Sequence, residues 1–135
     1  MKRRVETRIK VPFHDLDPAG IAWHGHYAKY FEVARCELLA SFGYNYDQMV
    51  ESGYAWPVID MHIRYVKPAL FGQEILVTAE LAEWEYRLKI DYVIRDAGGA
   101  RMCKGSTVQV AVDIVTREMC LRSPDVLFRR LGLMP

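Results

Sequence analysis

The apolar positions of this chain switch between two periods. Residues 3 to 12 alternate roughly between polar and apolar and end at Pro12, which predicts a first strand. After a turn-rich stretch, Tyr27, Tyr30, Phe31, Ala34, Leu38 and Phe42 fall at helical spacing and form one apolar stripe. Gly43 follows as a natural stop. The predicted helix, residues 27 to 42, would be about 24 Å long at 1.5 Å per residue. Nothing else before the C-terminus is as helical. Beyond a loop rich in Gly and Tyr the period becomes two. Ile59, Met61, Ile63 and Tyr65 share one face against Asp60, His62 and Arg64. Ile75, Val77, Ala79 and Leu81 align next. Tyr86, Leu88, Ile90, Tyr92 and Ile94 align against Arg87, Lys89, Asp91 and Arg95. Val108, Val110, Val112 and Ile114 complete the series, giving four half-buried strands. Asp96-Ala97-Gly98-Gly99 supplies a hairpin turn before the last of them. A short helix, Pro124 to Leu131, closes the chain, with Ser123 as its N-cap and Pro124 as its first residue.

The order is strand, one long helix, then four antiparallel strands. That is an α+β pattern, and its simplest solution wraps a curved five-stranded sheet around the helix. The polar faces still carry Val93, Ala111 and Val115, and the loops are rich in Tyr and Trp, so an oligomer is expected. At 135 residues the chain is read as one domain spanning 1–135. A net charge of +1 gives no reason to expect nucleic acid or an anionic membrane as a partner. There is no apolar run of transmembrane length. Met1-Lys2-Arg3-Arg4 resembles the basic start of a signal peptide, but Glu6, Thr7, Arg8 and Lys10 interrupt what should follow, which points to a cytoplasmic protein. Cys36, Cys103 and Cys120 are odd in number and unclustered, as expected of free, non-catalytic thiols in a reducing compartment.

The chemistry concentrates in FHDLDPAGIAWHGHYAKYFEVAR, residues 13 to 35. Asp17 lies on the strand side of the turn; His24 and His26 lie on the helix side. The unpaired N–H groups of a first helical turn carry partial positive charge. A carbonyl oxygen placed there would be polarised as in an oxyanion hole, and a carboxylate opposite could attack the carbon or deprotonate water. This suits thioester or ester hydrolysis and calls for no metal or cofactor. Other readings stand beside it. Asp17 before Pro18 also suits a turn aspartate bonding its own backbone. His24, His26, Asp15 and Asp17 are a weak metal-ligand set. His26 suits an exposed or capping role, His14 and His62 a surface one, and Glu32 a solvated pair with Arg35.

Asp15-x-Asp17-Pro18-Ala19-Gly20-Ile21-x-Trp23, followed by Tyr27, Glu32 and Arg35, resembles the hotdog-fold acyl-CoA thioesterases of the 4-hydroxybenzoyl-CoA thioesterase family. Tyr65-x-x-Pro68-Ala69 and the strand at Glu74 resemble that family's second strand and turn. The resemblance implies a five-stranded sheet wrapped around a central helix, homodimers or homotetramers, and an active site between two protomers. It makes Asp17 the catalytic carboxylate, as nucleophile or general base, and His24 a residue that orients or activates water. Gly20, Trp23, Gly25, Tyr27 and Lys67 become the expected substrate-binding residues, with the acyl group near the loop of Tyr54 and Trp56. Phe13, where several relatives carry a tyrosine, has no hydroxyl. Arg64, Lys67, Arg87, Lys89 and Arg95 are candidates for the phosphates of coenzyme A or, equally, cations that merely solvate the sheet. The implied partner is an acyl-CoA. An acyl carrier protein substrate and a non-catalytic acyl-CoA binding module are the alternatives.

Overall fold

The computed structural model describes residues 3–135; Met1 and Lys2 of the basic start lie outside the described residues. Strands β1 (Arg4–Lys10), β3 (Val58–Tyr65), β4 (Glu74–Glu83), β5 (Leu88–Asp96) and β6 (Arg101–Gln109) form one antiparallel sheet in the order β1-β4-β5-β6-β3. Helix α1 (Tyr27–Ser41) lies across it, chiefly over β1 and β4. This is the hotdog arrangement.

The helical stripe is the core. Tyr27, Tyr30, Phe31, Ala34, Leu38 and Phe42 are all buried, together with Leu39. Phe31 stacks on Tyr92 of β5 at 4.4 Å between ring centroids. A Cβ at Gly105 of β6 would collide with the Phe31 ring and the His62 carbonyl, so the helix can sit close only because that position has no side chain. The helix stops in a Schellman motif: Gly43 adopts φ +71°, its N–H donates to Ala40, and the Tyr44 N–H donates to Leu39 at 3.0 Å.

Several expectations need correction. Arg35 does not pair with Glu32 at the surface. It is 4 % exposed, and its Nε donates to the Tyr46 hydroxyl at 3.0 Å. The loop after α1 contains a further helix, α2 (Tyr46–Glu51), started by a capping box in which Asn45 and Gln48 bond reciprocally. The last long strand lies earlier than the alternation suggests. The turn after β5 pairs Asp96 N–H with the Ala100 carbonyl and sets Arg95 opposite Arg101, so β6 starts at Arg101 and ends at Gln109. Val112 instead joins a two-residue ribbon, β2 (Tyr54–Ala55) with β7 (Val112–Asp113), and Ile114 is exposed. The face of β3 expected inside is largely exposed, with Ile59 at 57 % and Met61 at 41 %, because β3 is the sheet edge furthest from β1 and β4, over which α1 lies. The final helix, α3, is Asp125–Arg130 with Pro124 at the N-cap position. Ser123 does not cap it: its N–H is committed to the Glu85 carbonyl, and its hydroxyl is buried without a partner. No helix of the described residues is long and apolar enough to cross a membrane.

Candidate active site

The loop between β1 and α1 is built on two turns. Phe13–Asp15 forms a single 3-10 turn, which sends the Asp15 side chain into the protein. Asp15 is 0 % exposed; its Oδ1 accepts from Lys29 Nζ at 2.6 Å and its Oδ2 from the Tyr30 hydroxyl at 2.7 Å. Burial works to raise this carboxyl's pKa, but the Lys29 and Tyr30 hydrogen bonds and the Lys29 charge outweigh it and hold it below the usual carboxylate range. The same burial, with Asp15 as neighbour, pushes the Tyr30 phenol up.

The next turn is a small hairpin. Leu16 bridges Ala22, the Asp17 N–H donates to Ile21, and the Gly20 N–H donates to the Asp17 carbonyl. Asp at the first position, Pro at the second and Gly at the fourth are the residues a type I turn favours, and Gly20 takes φ +81°, which an L side chain resists. Asp17 Oδ1 accepts from the Ala19 N–H at 2.9 Å, so the turn-aspartate reading holds in part. Ala22 N–H donates to the Ala69 carbonyl and Ile21 bridges Leu70, which clamps this hairpin to the segment after β3.

The helix begins earlier than its α-helical part. His24–His26 is a 3-10 turn continuous with α1, with Trp23 in extended conformation before it. The first bond of that turn runs from the His26 N–H to the Trp23 carbonyl. The helical N–H groups ahead of it are those of His24 and Gly25, so the helix start to which the oxyanion reading pointed lies before Tyr27. Trp23 packs its ring over Gly25 and against His24 and His26 at centroid distances of 5.2 and 5.4 Å. A Cβ on Gly25 would collide with that ring.

These turns meet the end of β3 around a cleft of about 280 Å³, lined by Asp17, His24, Tyr27, Tyr65, Lys67 and Pro68 among others. Four of the expected residues therefore converge: Asp17, His24, Tyr27 and Lys67. Tyr27 is buried, and its hydroxyl accepts from the Ala69 N–H at 3.1 Å. Tyr65 stands edge-on to Tyr27 at 4.9 Å and donates its hydroxyl to the His24 carbonyl at 2.7 Å, which fixes the turn that presents the free N–H groups. Lys67 is already engaged: its ammonium lies 3.0 Å from Asp96 Oδ2. The Ala100 N–H and Lys67 hold the Asp96 carboxyl below its ordinary range.

Gly20, Trp23 and Gly25 do not line the cleft; they shape its turns. Nor do Tyr54 and Trp56. Trp56 is buried, with its Nε1–H donating to the Tyr44 hydroxyl at 3.2 Å. Among the described residues no group of three or more His, Cys, Asp or Glu side chains is arranged to hold a metal ion. Sequence reasoning undervalued Asp15 and Tyr65. The usable signal was an aspartate two residues before Asp17, facing a helix that offers Lys29 and Tyr30.

Comparison with known proteins places the fold. The family described as the thioesterase-like superfamily matches residues 11–129. A 1,4-dihydroxy-2-naphthoyl-CoA hydrolase of Thermosynechococcus vestitus is 27 % identical over 116 residues, covering 84 % of this chain and 73 % of its own. The solved structure of the Thermus thermophilus hypothetical protein TT1821 superposes with a TM-score of 0.84 at 29 % identity, covering 96 % and 98 % of the two chains. That of the DHNA-CoA thioesterase of Staphylococcus aureus gives 0.82 at 26 % identity, covering 93 % and 82 %. With the hotdog sheet, the matched residues and relatives that cleave CoA thioesters, the chain belongs to the thioesterase-like superfamily and is a thioester hydrolase.

Proposed function

We propose that this chain hydrolyses acyl-CoA thioesters in the cleft beside the start of α1, with Asp17 as its catalytic carboxylate. The observation that carries this reading is the convergence of Asp17 and His24 on one cleft, at the turn whose His24 and Gly25 N–H groups precede the first intrahelical bond. The thioester oxygen takes the N–H of His24, the one of the two residues that lines the cleft, and gains its stabilisation as negative charge develops. Asp17 then either attacks the carbonyl carbon, forming an anhydride that water later opens, or removes a proton from the water that attacks directly. His24 orients that water. The C–S bond breaks, CoA leaves as a thiolate that takes up a proton, and the acyl group departs as a carboxylic acid.

Exposed apolar side chains flank the cleft on the β3 side: Tyr65, Val66, Leu70 and Phe71, continuing to Met61 and Ile59 along the strand. Their continuity with the cleft favours a homodimer in which a second copy covers this edge and closes the site. Three free thiols suit a cytoplasmic setting.

The test is thiol release from benzoyl-, short-chain and long-chain acyl-CoA by the native protein and Asp17→Asn. The variant keeps the shape and removes the charge, so kcat should fall by about 10²–10⁴-fold with KM little changed. Unchanged turnover in the variant excludes Asp17. Release from acyl carrier protein alone would move the substrate to that class.

A further inference from the structure

A larger cleft than that of the candidate active site lies elsewhere. On the face of the sheet turned away from α1, a groove of about 570 Å³ crosses β3, β6 and β5. We propose that it is a binding site for a phosphorylated nucleoside, gripped by Arg64, Lys104 and Lys89. The strand register places Arg64 directly opposite Lys104, with Val93 on the other side of Lys104. Like charges directly opposite on neighbouring strands repel and destabilise the pairing. Several other surface cations are paired with a carboxylate: Arg8 with Glu74, Lys67 with Asp96, Arg87 with Glu83, Arg122 with Asp125. Arg64, Lys89 and Lys104 form no ion pair among the described residues, although the chain as a whole carries only +1. A bound polyanion would remove that repulsion, and arginine suits a forked grip on phosphate.

The middle row of the groove narrows the ligand class. His62 faces Ser106, and Ser106 faces Asp91. A carboxylate amid the cations repels a bare polyphosphate but accepts hydrogen bonds from ribose hydroxyls or an adenine amino group. Val93 gives the base an apolar floor. A phosphorylated nucleoside has both parts. Two sources share this chemistry: the nucleotide end of coenzyme A, which rests on the acyl-CoA reading above, and a free nucleotide.

Titration calorimetry of the full chain with adenosine 3′,5′-bisphosphate, CoA, ATP and inorganic pyrophosphate separates them. The native protein should bind the bisphosphate, and Arg64→Ser or Lys104→Ser should each weaken it by about tenfold, the loss shrinking as salt rises. Asp91→Asn should shift preference towards pyrophosphate. An equal loss for CoA assigns the site to the substrate's nucleotide end; a loss confined to free nucleotides assigns it to a free nucleotide. If the native protein binds none of these compounds, or the variants bind them all unchanged with circular dichroism intact, the site does not exist. Because no step reads hydrolysis, this result is independent of the Asp17→Asn outcome.

Discussion

Replacing Asp15 with Asn removes the buried charge at the root of the loop while keeping its shape. The buried carboxylate faces two donors of different standing. The Lys29 side chain is 47 % exposed, so its ammonium can return to water at little cost, and the 3–5 kcal/mol expected for breaking a fully buried pair does not apply. The Tyr30 hydroxyl cannot escape: the residue is 1 % exposed, and it loses a charged acceptor worth roughly 1.5–3 kcal/mol. Asp15→Asn should therefore cost about 2 kcal/mol at neutral pH. For 135 residues an unfolding entropy of about 0.28 kcal/mol/K follows, so Tm should fall by about 7 °C. The pH dependence has a definite sign. The folded carboxyl lies below its ordinary value of 3.8, so the unfolded chain takes up its proton first as acid is added. The stabilisation is present above about pH 4 and is lost as pH falls through the lowered folded value. Urea denaturation of both proteins at one fixed concentration, at pH 7 and near pH 3, should show a gap that narrows in acid. A gap below about 0.5 kcal/mol at pH 7, or one unchanged near pH 3, would refute the assignment of Asp15 as a charged anchor.

Two further outcomes follow from close contacts. Gly25→Ala should cost about 1–3 kcal/mol and most of the thiol-release activity, because its Cβ enters the Trp23 ring; adding Trp23→Ala should restore part of both, and equal losses in the two backgrounds would exclude the clash as cause. Cys103 is fully buried, with its thiol pushed up to about 11 by desolvation, so native-state titration with an aromatic disulfide should modify only the partly exposed Cys36 and Cys120; three rapid equivalents would contradict the packing.

The elements legible in the sequence are those whose periodicity is decided locally. The α1 stripe and the alternation of β4 and β5 each face one side, and each is buried where the pattern puts it, except that Tyr86 lies in the turn before β5 and is 62 % exposed. Pattern fails where partners at a distance decide. Arg101 to Gly105 shows no clean alternation, yet the Asp96 turn places it opposite β5, and the more regular Val112 and Ile114 are left outside the sheet. The β3 alternation is real, but no local signal says that the strand ends at an edge beyond the reach of α1. The α2 capping box was written plainly as Asn45-x-x-Gln48 and was hidden by its short, Tyr-rich surroundings.

The site shows the same division. Asp17, His24 and Tyr27 stand within eleven residues of each other, and their convergence follows from one type I turn and one helix start. Tyr65 and Lys67 arrive from β3 through the Ala22–Ala69 clamp, a contact between segments 47 residues apart. The two sequence readings of Asp17 are also less opposed than they look. The Ala19 N–H takes Oδ1 and limits how the side chain can turn, while Asp17 still lines the cleft beside the first helical N–H groups. A carboxylate that must act on a carbonyl held at those groups gains from such restraint, because reacting groups held in place do not lose that freedom again at the transition state. The turn bond that makes Asp17 look merely structural is thus what the proposed chemistry would require of it.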